Sequence, residues 1–427
     1  MSARWSKEES ALLDLLRAAM GKENKIEHKD ANKIERKTDC DWERLLHLAE
    51  SHAVTAMLYD VLEEQTGTAA CIWERVQKSA QITVLSNYRL LFLTAYVTDY
   101  LGQYGIAAVT LKGAATAVLY PVPEYRKSGD VDLLIPLESE YKRALRLLQQ
   151  AGFLADEEQL ALHHTDLRNA EGISIELHHT LAEPFENQKV NEYLKNILPE
   201  YGNHIVENTA WGVRLLQPAD AYHAFYLIVH MLQHFLREGF GLKNLCDWTL
   251  FWNREVAVSE KEQFMKLIKQ SKTEQFVRIL TAACVRYLGL QEEKVSFLMK
   301  ERAAKERITK ERETEPIEPI KASAWDELIE DFMQDVLQAG EFGRSQTDRM
   351  VAMRATGFQA YVKEFHHQMH LNFPKAGRVI VCWPLLWIVT LVRFLYNNHR
   401  FERASVRSIL KKTAQRSELM ERMRLFW

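Results

Sequence analysis

Gly129-Asp130-Val131-Asp132-Leu133-Leu134-Ile135 constrains the fold more than any other stretch of this 427-residue chain. Two carboxylates one residue apart at the head of an apolar run share one face of a strand, because strand side chains alternate. Asp130, Asp132 and Leu134 take one face, and Val131, Leu133 and Ile135 the other. A later segment, Ile173-Ser174-Ile175-Glu176-Leu177-His178, has the same parity. Ser174, Glu176 and His178 oppose Ile173, Ile175 and Leu177. Each strand therefore buries one face and offers its acids from the other. Three clustered carboxylates would repel and raise one another's pKa. Divalent cations remove that conflict, and oxygen-only ligands suit Mg²⁺. Asp130, Asp132 and Glu176 are thus candidate metal ligands and catalytic groups for a phosphoryl-type transfer.

The pattern around these strands describes a small α/β unit. Residues 106–111 form a short apolar run that predicts a buried strand. Lys112-Gly113 follows, and 114–120 predicts a short helix stopped by Pro121 and Pro123. Tyr141, Ala144, Leu145 and Leu148 make the apolar stripe of a helix ending at Gly152. Residues 162–167 and 172–178 predict two further strands, paired as a hairpin. On the N-terminal side the signals are helical. Ser6 and Glu9 form a capping box, Trp42, Leu45, Leu46 and Ala49 recur at helical spacing, and a long helix is expected over 79–104.

After Pro184 the pattern is helical again, most strongly over 219–236. Lys300-Glu301-Arg302, Lys305-Glu306-Arg307 and Lys310-Glu311-Arg312 read as a solvated helix stopping near Pro316, with Pro319 in a linker. The expected class is α+β: a small mixed-sheet core flanked by N- and C-terminal α-helical segments. The expected divisions are 1–104 helical, 105–183 the α/β core, 184–315 helical and 316–427 helical.

A net charge of −3 gives no global attraction to nucleic acid, so an RNA or DNA contact would need a local basic patch. The five cysteines are isolated, which argues against a disulfide framework or a zinc knot and for reduced, mostly buried thiols. The opening Met1-Ser2-Ala3-Arg4-Trp5-Ser6 leads into a mixed-charge helix, not a secretory leader. A cytoplasmic protein is expected. The most apolar run, 379–392, contains Pro384 and falls short of the ~20 residues of a bilayer span. A buried helix is its first reading and attachment to a membrane surface its second. Trp383, Trp387 and Phe394 are assigned to core packing, with a partner surface as the alternative.

Other residues gather near the acids. Gly113, at a strand-to-helix turn, lets the backbone approach phosphates. Lys112 and Arg126 supply cations for the β- and γ-phosphates, although Lys112 read alone is a solvated lysine and Arg126 a loop-holding salt bridge. His178 either hydrogen-bonds the acids or lines the sheet. His223, His230 and His234 share one helix face, and His230 and His234 have the i,i+4 spacing of a metal pair. The Glu of His-Glu-x-x-His is missing, so this face is read as packing near the α/β unit, where a histidine touches nucleotide or acceptor. Asp247 is a candidate partner for one of them.

Leu111-Lys112-Gly113-Ala114-Ala115, Tyr120-Pro121, Arg126, Gly129-Asp130-Val131-Asp132-Leu133-Leu134 and Ile175-Glu176-Leu177-His178 together resemble the uncharacterised nucleotidyltransferase family of bacteria. That family lies within the DNA polymerase β-like nucleotidyltransferase superfamily. Weaker similarity covers Asp41-Trp42 through Ala49 with His52, and Asp220 to Asp247. The resemblance implies that Asp130 and Asp132 are the paired metal-binding acids, Glu176 the third, and Gly113 the phosphate-loop glycine. The serine that follows this glycine in many superfamily members is Ala114 here. It further implies transfer of a nucleoside monophosphate from an NTP such as ATP to a hydroxyl acceptor, with pyrophosphate leaving and two Mg²⁺ or Mn²⁺ ions taking part. The acceptor is left open among a small molecule, an RNA end, a peptide and a protein, as is association with a further copy or a partner protein. The alternative from another class is a catalytically idle nucleotide-binding or antitoxin-like module. A phosphohydrolase is weaker, since no adjacent His-Asp metal pair is present.

Overall fold

A five-stranded sheet and a separate two-stranded hairpin are set among helices, an α+β arrangement. The computed structural model describes residues 5–21, 40–63, 70–160, 164–185, 187–237, 239–299, 322–340, 380–401 and 416–425, together with 366, 369 and 373. The N-terminal helices are α1 (Lys7–Met20), α2 (Trp42–Ser51) and α3 (Ala70–Gln103). The α/β part follows as β1 (Val109–Thr110), α4 (Ala114–Ala117), β2 (Val131–Leu134), α5 (Glu138–Gln150), β3 (Leu154–Leu160), β4 (His164–Arg168) and β5 (Ser174–His178). Next come α6 (Gln188–Ile197), the hairpin β6 (Ile205–Ala210) and β7 (Val213–Pro218), then α7 (Asp220–Arg237), α8 (Leu242–Asn253), α9 (Val258–Gln270) and α10 (Glu274–Leu288). Towards the C-terminus lie α11 (Ala322–Ala339), α12 (Trp383–Phe401) and the helical residues 416–422.

Strand order in the sheet is β1-β2-β5-β4-β3. β2 runs parallel to β5, while the other neighbours are antiparallel, so the sheet is mixed. Register in β2 and β5 follows from the apolar face. Val131, Leu133, Ile135, Ile175 and Leu177 pack with Val97 and Leu101 of α3 and Ala144 and Leu148 of α5. A slip of one residue would turn this set away from its core, so the burial locks the pairing. That same lock sets Asp132 directly opposite Glu176.

The larger core lies among the helices. Leu12 and Leu16 of α1, Leu45 of α2, Phe225 of α7, Trp248 of α8 and Phe276 of α10 belong to one cluster. Each such fully buried side chain contributes roughly 1.5–3 kcal/mol. The N-terminal helices and those after the sheet therefore share a core. His52 ties them further, its Nδ1 accepting from the Leu242 amide at 3.2 Å and its Nε2 lying 3.2 Å from the Leu337 carbonyl. The expected capping box forms at α1: Ser6 Oγ accepts from the Glu9 amide at 3.2 Å, and Glu9 accepts from the Ser6 amide at 2.6 Å.

Several expectations need correction. Polar-rich Leu154–Leu160 is an edge strand, not seen as one in the sequence because its core-facing periodicity is weak. Residues 205–218, expected to be helical, form the β6–β7 hairpin around Trp211-Gly212. The described part of the apolar run 379–392, residues 380–392, is no buried helix, and Val379 lies outside the described residues. Val381, Leu385 and Ile388 are 88%, 65% and 60% exposed, and Trp383 and Trp387 are half-buried. The Lys-Glu-Arg repeats of 300–312 and the prolines at 316 and 319 lie outside the described residues. Among the described residues no helix is long and apolar enough to cross a membrane. None of the five cysteines is in a disulfide; Cys246 and Cys284 are buried and Cys71 is exposed.

Candidate active site

Strand parity brings the acids of β2 and β5 to the face opposite the sheet's apolar core. Asp130, Asp132 and Glu176 each present a carboxylate oxygen, and these atoms lie within 4.8 Å of one another. The face is covered, not open: Asp132 is 1% exposed and the Glu176 side chain 25%. Two cations fill the space around Asp132. Lys112 Nζ lies 2.9 Å from its Oδ1, and His178 Nε2 is 3.3 Å from Asp132 Oδ1 and 3.3 Å from Glu176 Oε2. Lys112 is thus an internal counter-ion and not a solvated side chain.

These contacts set the charges. Burial would raise the pKa of Asp132, but Lys112 and His178 outweigh it and hold the carboxyl well below the usual range. Burial likewise opposes ionisation of Glu176, and the His178 hydrogen bond reverses this, taking the group to about 2. For His178, burial disfavours the imidazolium, yet its bonds to Asp132 and Glu176 raise it to about 9. Asp130 is the acid left without a cation of its own. The Asp132 charge, and then burial, push it up to about 7. Lys112 stays charged, since Asp132 with Tyr226, Asp130 and Glu176 overcomes the cost of burying it.

The donor set fits a hard divalent cation. All three ligands are oxygens, and the buried Oδ2 of Asp132 has no hydrogen-bond partner among the described residues. A mixed group shares the same edge: ligand atoms of His164, Glu176 and His178 also lie within 4.8 Å of one another. His164 was not singled out from the sequence. Its place opposite His178 in the β4–β5 register is the signal that would have found it. Beside the acids, Gly113 caps α4 with φ 59° and ψ −116°, a conformation that favours glycine. The turn lines one cleft together with Lys112, Asp130 and Asp132.

A family model described as "Uncharacterised nucleotidyltransferase" matches residues 38–289, more than half of the chain. The chain belongs to this nucleotidyltransferase family. No curated protein matches it. The solved structure titled "Crystal structure of an antigenic nucleotidyltransferase-like protein from Paracoccidioides brasiliensis" aligns at 14% identity. The alignment covers 47% of this chain and 93% of that one, with a TM-score of 0.30, too slight a likeness to bear on the argument.

Arg126, expected from its charge and position to be a phosphate ligand, is instead tied up in a buried ion pair. Its Nε donates to Asp247 Oδ1 at 2.7 Å, its Nη2 to Asp247 Oδ2 at 2.8 Å and its Nη1 to Ser128 Oγ at 3.1 Å. Asp247 also accepts from the Tyr120 hydroxyl at 2.6 Å. Asp247 therefore serves Arg126 and Tyr120, not a histidine. The buried, bidentate pair pins the loop before β2 to α8.

The histidine face of α7 separates into two roles. His230 Nε2 lies 3.0 Å from Lys112 Nζ and 3.1 Å from His234 Nε2. Burial, with the charge of Lys112, holds His230 well below its ordinary pKa, so its neutral ring accepts from Lys112. Neither metal-capable group among the described residues includes His230 or His234. His223 instead packs edge-on to Phe251 at 5.6 Å and is 1% exposed.

Burial and Arg254 lower His223 to about 4. An unfolded chain would titrate this ring at about 6.5 and so takes up the proton first as pH falls. The ring's contribution is complete above about 6.5 and is lost progressively towards about 4, a total of roughly 3 kcal/mol. His223→Leu is expected to flatten the pH dependence of the denaturation midpoint across that window. An unchanged slope would count against a buried neutral imidazole.

Proposed function

We propose that the chain transfers a nucleoside monophosphate from an NTP to a hydroxyl-bearing acceptor at Asp130, Asp132 and Glu176, with release of pyrophosphate. The observation that supports it best is the meeting of three carboxylates from two strands beside the Gly113 turn, with one buried oxygen of Asp132 left for a ligand. Bound by these acids, Mg²⁺ or Mn²⁺ would neutralise triphosphate charge and acidify the acceptor hydroxyl. The chain's own groups do the rest. The Gly113 turn admits phosphate oxygens close to the backbone. Lys112, held between Asp132 and His230, keeps Asp132 ionised and in place. Glu176, more exposed than Asp132, faces the acceptor and takes its proton. The acceptor oxygen bonds to the α-phosphorus as the bond to the β-phosphate oxygen breaks, and pyrophosphate carries away the electron pair.

This reading extends to a place in the DNA polymerase β-like superfamily, a bacterial, cytoplasmic setting and residues 105–183 as the catalytic unit between helical segments. Incubation with labelled NTPs, Mg²⁺ or Mn²⁺ and a cell lysate is expected to give a labelled acceptor and pyrophosphate, both lost on chelation. A labelled acceptor that persists with Asp132→Ala would refute the assignment.

The second reading is a catalytically idle nucleotide-binding module that acts by association. It draws on the neutralisation of Asp132 by Lys112 and His178, which lets the acids coexist without a bound cation. Nucleotide binding without pyrophosphate release, across a broad acceptor screen, would favour it.

A further inference from the structure

Room for a second reactant lies beside Gly129. A cavity of about 350 Å³, the size of a small-molecule site, opens between α3, the loop that enters β2 and the paired ends of β4 and β5. Gly129, the residue before Asp130, forms part of its wall, and Leu90 lines both this cavity and the cleft of the Gly113 turn. Resting on the reading above, we propose that this cavity holds the acceptor, and that the acceptor is a small phosphomonoester whose phosphate is gripped by Arg89 and Arg168.

Unused donors carry the argument. Four polar side chains line the cavity: Ser86 and Arg89 from α3, Arg168 from β4 and Ser174 from β5. Among the described residues none of these four side chains makes a hydrogen bond, and neither guanidinium has an ion pair or a ring contact. Arg75, earlier on α3, is by contrast held by Glu43 and Glu50. No carboxylate is among the residues that line the cavity. A cleft lined by charge of one sign draws a ligand of the other.

Local structure aims the four at one place. Ser86 and Arg89 are three apart on α3 and so share its face. Arg168 lies directly opposite Ser174 in the β4–β5 register, and antiparallel partners point to the same side of the sheet. Two guanidiniums match the dianion of a phosphomonoester in charge, and each presents a planar fork that takes two phosphate oxygens side by side. The serine hydroxyls supply further donors.

Position favours the acceptor over the donor. In the reading above the donor's phosphates lie at the Gly113 turn. Gly113, Asp130 and Asp132 line the cleft there and do not line this cavity. The two spaces adjoin at Leu90 and along the step from Gly129 to Asp130. A phosphate fixed here leaves the acceptor's hydroxyl to reach the acids.

The test uses the full chain with Mg²⁺. Inorganic phosphate is titrated by calorimetry with a non-hydrolysable NTP analogue already bound. Arg89 and Arg168 are exposed, so Arg89→Gln and Arg168→Gln are expected to leave thermal denaturation unchanged. Each is expected to weaken phosphate binding about tenfold, the effect of losing a hydrogen bond to a charged group, with affinity for the NTP analogue constant. Lys78→Gln removes the same charge from a neighbouring cavity on α3 and is expected to change neither. Labelling is then repeated in a lysate pretreated with a phosphatase that is removed before NTP is added, and the labelled small molecule is expected to disappear. Phosphate binding by both arginine variants equal to the unmodified chain overturns the site. So does an equal loss in Lys78→Gln, which marks diffuse attraction. Loss of analogue affinity in step with phosphate assigns the cavity to the donor and overturns the acceptor role. Undiminished labelling after phosphatase treatment, or label carried by a macromolecule, overturns the acceptor class and leaves the transferase reading standing. An unmodified chain that releases no pyrophosphate with any acceptor, while both arginine variants lose phosphate, removes the transferase reading and the acceptor role together and keeps only the anion site.

Discussion

Asp132→Asn is expected to reduce nucleotidyl transfer on the order of 10³-fold or more, as removal of a group that stabilises transition-state charge does. The asparagine keeps the shape of the carboxyl and loses its charge. Two consequences combine. One of the three proposed oxygen ligands becomes a weak one, and Lys112 loses the partner that lies 2.9 Å from its ammonium. Lys112 is not stranded, because the charges of Asp130 and Glu176 also act on it. The fold should therefore survive, which makes activity a clean readout. Pyrophosphate release measured beside thermal denaturation separates the effects. Transfer within tenfold of the unmodified chain would remove Asp132 from the catalytic centre.

Asp247→Ala is expected to be the most damaging single substitution for stability, at about 3–5 kcal/mol, the usual cost of stranding a buried charge. Arg126 and Asp247 are 4% and 3% exposed. The change leaves the guanidinium without its two carboxylate bonds and the Tyr120 hydroxyl with only the Lys243 carbonyl at 3.5 Å in place of Asp247 at 2.6 Å. The loop entering β2 would loosen, and with it the position of Asp130. Urea denaturation measures the loss. A double variant, Arg126→Met with Asp247→Leu, should recover much of it, because an apolar pair of similar volume carries no unpaired charge. If Asp247→Ala unfolds at the same urea concentration as the unmodified chain, Arg126 is not the anchor described here.

Much of the site was legible because strand periodicity is a local property. The alternation through Asp130-Val131-Asp132-Leu133 and Ile175-Glu176-Leu177 shows which side chains share a face. Once the apolar faces bury against α3 and α5, the acids meet at Asp132 and Glu176. Ser6 and Glu9 were readable for a similar reason, since a capping box closes within one turn. The β6–β7 hairpin was not readable. Its strands, Ile205–Ala210 and Val213–Pro218, lack a clean apolar-polar alternation, and the Trp211-Gly212 turn lacks the usual Asn or Asp. The exposed apolar side of α12 could not be foreseen either, because hydrophobic composition reports the residues and not what covers them.

The chain's order of residues determined the secondary elements that carry the site, the parity of its acids and the glycine at its turn. These rest on backbone geometry over a few residues, where sterics and alternation act alike in any context. The tertiary structure alone decided the partners of the charges. Lys112 meets His230 across 118 residues, and Arg126 meets Asp247 across 121. A charged side chain in sequence carries no record of its distant neighbour. Whether it becomes a ligand, a counter-ion or an anchor depends on which opposite charge the packing buries beside it, since in a low-dielectric interior that contact outweighs all others.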